Sequence, residues 1–168
     1  INFTHSYFNN SDTGTRLRLD SYREELNSTT FNPPTVFTYT TKQLPAPGSF
    51  AQDHWGYYNG ANGNTNLVPA YTHNGTIVVS TNNREVDPNY VDGCMIKSIT
   101  SPLGGVTEFV FEANKYLNGT VDTNGPGLRI SKIIKRDPFT AINAITNYSY
   151  TNPSTGKSSG YLMSTPNY

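Results

Sequence analysis

The sequence predicts an all-β chain, mostly antiparallel hairpins with one long aromatic-anchored loop, and three observations carry that expectation. Polarity comes from Asn, Thr and Ser, whose side chains compete for backbone hydrogen bonds and so favour turns over long helices. Twelve Tyr and eight Phe join Thr, Val and Ile as residues suited to a pleated surface. Fourteen Gly and eleven Pro punctuate short alternating runs.

In chain order, residues 2–8 read as a weak first strand. Residues 15–22 alternate cleanly, with Leu17 and Leu19 on one face and Arg16 and Arg18 on the other. Asn32-Pro33-Pro34 breaks the chain before a strand over 35–41, where Phe37 and Tyr39 share a face; the prolines, lacking ladder donors, can only precede it. From 44 to 90 the pattern dissolves into a long ordered loop holding one short apolar strand at 76–80. Such loops are uncommon unless they serve function or pack as a unit. Asp87-Pro88-Asn89-Tyr90 suggests a single helical turn, with Asp87 as its cap and Pro88 in first position.

The half from 94 to 168 is richer in hairpins. Residues 95–100 and 106–111 form one, closed by Ser101-Pro102-Leu103-Gly104-Gly105, with both glycines where positive φ is needed. Phe109 and Phe111 then point into a core, while Glu108 and Glu112 lie opposite, because a one-residue slip would bury the carboxylates. After Asn124-Gly125-Pro126-Gly127, strands over 128–134 and 143–151 pair across an Asp137-Pro138 turn. A last turn at 152–156 leads to a strand over 160–164.

Length suits a single β domain, or a segment of a larger secreted protein, spanning 1–168. Twelve acidic residues offset twelve basic ones and only 14% of the chain is charged, so no extended field exists to steer nucleic acid or an anionic membrane. Lys132, Lys135 and Arg136, the one local basic cluster, read as a solvated strand end. Cys94 stands alone, which rules out an internal disulfide and a Cys-based metal site; it is expected to be a structural thiol near a strand start. No run reaches the length of a transmembrane helix. This composition, with a first residue other than Met, suggests a processed piece of an extracellular or cell-surface bacterial protein. Six Asn-x-Ser/Thr triplets, the first at Asn2, are what chance supplies in so Asn-rich a chain.

The densest cluster is Asp53-His54-Trp55-Gly56-Tyr57-Tyr58-Asn59-Gly60, which holds the only Trp. One reading has its rings pinning the long loop, with Trp55 buried and Asp53 and His54 structural. The other makes Trp55, Tyr57, Tyr58, Asn59 and Tyr71 a glycan or partner face, since aromatic rings offer flat apolar faces and Asn supplies amide hydrogen bonds to hydroxyls. Catalysis is not expected: side chains adjacent in sequence diverge on an extended backbone, so Asp53 and His54 do not make an acid–base pair. His5 and His73 lack metal-ligand spacing to His54. Asp87, Asp92 and Asp122 lack the alternating carboxylates of a calcium loop. Neither Gly104-Gly105 nor Gly125-Pro126-Gly127 leads into Lys-Ser/Thr, as a phosphate cradle would. No metal and no cofactor is expected.

Five motifs follow one another along the chain: Gln52-Asp53-His54-Trp55-Gly56-Tyr57-Tyr58-Asn59-Gly60, Arg84-Glu85-Val86-Asp87-Pro88-Asn89-Tyr90, the hairpin from Ile99 to Phe109, Gly127-Leu128-Arg129-Ile130, and Gly156-Lys157-Ser158-Ser159-Gly160-Tyr161-Leu162. Read in that order, they resemble segments of large secreted Rhs-like (YD-repeat-related) proteins of Bacteroidetes. Gly127-Leu128-Arg129 inverts the usual Gly-Arg-Leu of the repeat, and no strand ends in Tyr-Asp before a turn glycine. The resemblance implies a non-catalytic β scaffold, either a Rhs/YD-shell-like segment or a β-sandwich-like domain preceding one. Its partners would be the rest of its own parent chain or neighbouring β repeats. The alternative is a carbohydrate-binding β module on the bacterial cell surface.

Overall fold

A computed structural model describes residues 1–8, 16–27, 30–140 and 142–164, apart from the side chain of Leu26. The chain is all-β, with no helix among these residues. Seven strands form one antiparallel sheet in the order β1 (Asn2–Phe8), β2 (Arg16–Arg23), β5 (Thr35–Tyr39), β8 (Ile96–Thr100), β9 (Val106–Asn118), β10 (Val121–Arg136) and β11 (Asn143–Asn147). Two small hairpins stand apart from it, β3 (Glu25–Asn27) with β4 (Thr30–Phe31) and β6 (Tyr71–His73) with β7 (Thr76–Val78).

Contacts gather into two compact units: Ile1–Gln43, Gly93–Phe111 and Ile130–Tyr148 in the first, Leu44–Asp92, Glu112–Arg129 and Ser149–Tyr168 in the second. Strands β9 and β10 contribute residues to both.

In the first unit the expected hairpin stands. Ser98, Ile99 and Thr100 oppose Glu108, Thr107 and Val106, and Ser101 N–H closes the loop on Gly105 O. Register then carries one aromatic row across the sheet. Phe3 opposes Tyr22, Tyr22 opposes Thr35, Phe37 opposes Ile99, and Ile99 opposes Thr107, beside which Phe109 and Phe111 follow by alternation. Rings touch along it: Phe3 with Tyr22, Tyr22 with Phe37, and Phe109 stacked on Phe111. Glu108 and Glu112 instead meet Arg136 and Arg129. Phe109 and Phe111 are only half-buried, so the row is not the closed core that was expected.

Several boundaries differ from expectation for local reasons. Gly104 takes positive φ but Gly105 does not, so one glycine suffices for the turn. β9 runs on to Asn118 and turns at Gly119 (φ 62°), a two-residue hairpin with glycine in the first central position. Asn124-Gly125-Pro126-Gly127 lies inside β10 and not between strands, because Gly127 (φ 72°) absorbs the distortion. Asn74 and Gly75 (φ 48° and 76°) make the type I′ turn of β6–β7. No helix forms at Asp87, yet the expected cap is made: its carboxylate accepts Asn89 N–H and its carbonyl accepts Tyr90 N–H, closing a single hydrogen-bonded turn. The strand expected over 160–164 is absent, and β11 stops at Asn147. Thr15 lies outside the described residues.

Among the described apolar residues only Ala51 and Val91 are buried. The other buried side chains are polar: Thr35 in the first unit, and Asp53, Asn59, Asn82, Arg84 and Ser158 in the second. Thus the second unit is organised around hydrogen bonds.

Candidate functional site

Residues 53–57 form a tight turn around a carboxylate. Asp53 is wholly enclosed, and its Oδ1 accepts the N–H groups of Trp55 and Tyr57, each at 2.9 Å. Its own N–H donates to Tyr57 O, and Gly56, at φ 92°, donates back to Asp53 O. So small a ring of backbone has no interior for an indole, and Trp55 therefore stands 41% exposed, not buried as the loop-pinning reading requires.

Polar side chains do the pinning instead. Arg84 donates from Nε and Nη2 to Asp53 O and from Nη1 to Leu67 O. Asn59 donates to the carbonyls of Asn83 and Glu85 at 3.0 Å, and its Oδ1 accepts Ala61 N–H. Asn82 accepts Thr65 N–H and donates to Asn66 Oδ1 and Val68 O. A loop with so little ladder must satisfy most of its buried backbone groups through side chains, and Asn, which donates and accepts at once, suits the task.

Of the residues expected on a binding face, Trp55 and Tyr57 face solvent, Tyr57 at 46% exposure. Tyr57 lies directly over Gly127: a Cβ there would stand 2.9 Å from its Cζ. Tyr58 packs edge-on to Tyr90 at 5.3 Å, and its hydroxyl meets the Asn62 side chain. Asn59 is 3% exposed with its amide engaged, so it offers nothing to a ligand; its part is structural. Tyr71 sits in β6, opposite Val78. His54 stands edge-on to Trp55 at 5.7 Å, with Nε2 3.6 Å from Glu85 Oε1. Glu85 is almost fully solvated there, which leaves that contact screened.

No protein-family model, curated protein or solved structure matches the chain.

Among the described residues no group of three or more His, Cys, Asp or Glu side chains gathers into a metal-holding cluster. Cys94 is a free, half-buried thiol just before β8, with Sγ 3.8 Å from Lys42 O. The sequence alone does not single out Arg84, Asn64 and Asn82 as loop anchors. The available signal was the pair of polar runs Asn62-Gly63-Asn64 and Asn82-Asn83-Arg84, which flank a region whose ladder is limited to the short β6–β7 hairpin.

Proposed function

We propose that the chain is a non-catalytic structural and interaction segment of a secreted or surface β scaffold of the Rhs-like kind, completed by strands and apolar faces of neighbouring repeats. The observation that carries this reading is how little apolar surface the seven-stranded sheet covers. Phe3, Tyr7 and Leu17 stand exposed at one edge and Ile145 at the other, and all five residues of β11 face solvent. Tyr7 and Leu17 oppose each other across β1–β2, a paired apolar surface of the sort repeat architectures cover by stacking. The enclosure of Asp53 favours a non-catalytic role, because a general base must reach its substrate.

Light scattering tests the reading. The isolated chain is expected to associate with rising concentration and to bind a dye for exposed apolar surface, and Tyr7→Lys with Leu17→Lys should suppress both. A monomer at all concentrations that leaves the dye dark would refute it.

A second reading, glycan binding on a cell surface, draws on the solvent-facing Trp55 and Tyr57, held by a turn with little freedom. Glycan-array binding lost in Trp55→Ala with folding intact would support it, and an array without signal would remove it.

A further inference from the structure

A hollow of about 370 Å³ opens in the first unit beside β2 and β5, lined in part by Phe8, Arg18, Asp20, Phe37, Tyr39 and Gln43. Two irregularities of the sheet flank it. Between Thr4 and His5 the β1–β2 register shifts, so that Ser21 and Leu19 are opposed while Asp20 has no partner across the ladder. Between Thr38 and Tyr39 the β5–β8 register shifts in the same manner, passing over Lys97. Bulges re-aim side chains and recur beside ligand sites. Here they flank a compact set of polar and aromatic groups. Arg18 Nε binds Asp20 Oδ1 at 2.7 Å, the Arg18 guanidinium lies 5.5 Å from the centre of the Phe8 ring, and Phe8 meets Tyr39 edge-on at 5.1 Å. The Tyr39 hydroxyl donates to Leu19 O at 2.7 Å, which fixes its ring.

We propose that this hollow binds a neutral, polyhydroxylated ring: a pyranose sugar, free or as a residue of a glycan. Charge selects the class. An anion would meet Asp20 and a cation Arg18, each at a pair already balanced within itself. A hydrocarbon would strip water from that pair and return no hydrogen bond, at a cost. A sugar returns both kinds of partner, because its hydroxyls accept from a guanidinium and donate to a carboxylate. Its apolar C–H face suits Phe8, Phe37 or Tyr39. Arg18 and Asp20 retain 37% and 28% side-chain exposure, enough to be reached from solvent. The volume falls near the lower end of the ~300–1,000 Å³ typical of small-ligand sites. The proposal does not rest on the scaffold reading or on Trp55 and Tyr57, which belong to the other unit.

The test is an NMR titration of the whole ¹⁵N-labelled chain with methyl glycosides of glucose, galactose, mannose and N-acetylglucosamine, carried into the millimolar range. Methyl glucuronide serves as the anionic control. At least one neutral glycoside should give saturable shifts at the amides of residues 18–20 and 37–39, and the glucuronide should bind more weakly. Arg18→Gln and Asp20→Asn should each weaken binding by about tenfold, the loss of one charge-assisted hydrogen bond, with the melting temperature recorded for both. Affinity unchanged in a folded variant, or tighter binding of the glucuronide, would overturn the proposal. So would the absence of saturable shifts with all four glycosides in the unaltered chain, whatever the variants do.

Discussion

Arg84 closes on the carbonyl oxygen of Asp53, thirty-one positions earlier in the chain, through both Nε and Nη2. The same guanidinium reaches Leu67 O, so one side chain fastens three separate stretches of a loop that has almost no ladder. Hydrogen bonds to a charged group are each worth about 1.5–3 kcal/mol, and bonds sharing a donor do not add in full. Arg84→Met should therefore cost about 3 kcal/mol in denaturant unfolding. Arg84→Lys should restore little of it, since an ammonium lacks the planar fork that spans two carbonyls. Full stability of the lysine variant would show that the fork is dispensable.

Asp53 and Trp55 should rank in an order opposite to their size. Asp53→Ala removes the acceptor of two enclosed N–H groups and should cost about 2–4 kcal/mol. Trp55→Ala removes a ring already 41% exposed. It should cost about 1–2 kcal/mol, well below the roughly 3–5 of a core aromatic. Asp53→Asn should fall between alanine and the parent, because one oxygen survives to accept. Melting curves of the three variants decide the ranking, and a tryptophan variant less stable than Asp53→Ala would return the pinning role to the ring.

Much of the first unit was legible because period-two alternation is a short-range signal. The strand over 2–8 emerges as β1 to the residue, and the hairpin around Ser101–Gly105 keeps the register that places Phe109 opposite in sense to Glu108. What alternation does not encode is how far a face is covered. Phe109 and Phe111 were placed on the correct side yet are half-buried, since burial depends on what lies above the sheet. In the second unit the signal is long-range and polar. Arg84 with Asp53, or Asn59 with Asn83 and Glu85, leave no periodicity, and an asparagine reads alike as turn former and buried acceptor. Trp55 misled for a related reason: size predicts burial on average, but the turn around Asp53 gives the indole nowhere to go inward.

Two glycines should resist substitution for different reasons. A Cβ on Gly160 would stand 2.2 Å from Lys115 O, a backbone atom that cannot yield without moving β9. Gly160→Ala should thus release the C-terminal segment, lost protection of the Leu117 amide, which donates to Gly160 O, being the readout in hydrogen exchange. On Gly127, at φ 72°, the Cβ would meet the Tyr57 ring at 2.9 Å, and a ring can swing away. Gly127→Ala should therefore move Tyr57 fluorescence or ring shifts while leaving the Leu117 amide protected. Equal effects of both on that amide would contradict this division.

The ends of the pH range should report on one pair of side chains. The Ser6 hydroxyl beside it and the Arg18 guanidinium hold the Asp20 carboxyl below the usual aspartate range, against the opposing pull of burial. A carboxyl depressed on folding stabilises the fold above its unfolded pKa, about 4, and that stability is lost as pH falls through the folded value. Tyr39 moves the other way: burial first and the Asp20 charge second push its hydroxyl up. Its contribution is therefore present below about pH 10 and lost as pH rises through the raised value. Asp20→Asn should flatten the acid limb of a stability profile, and by removing a neighbouring negative charge it should also shift the alkaline limb. Tyr39→Phe should remove the alkaline dependence and leave the acid limb in place. Denaturant midpoints followed from acid to alkaline pH for the parent and both variants separate the two contributions. An acid limb that survives in Asp20→Asn would assign it to other carboxylates, and an alkaline limb unmoved in that variant would break the link between these two groups.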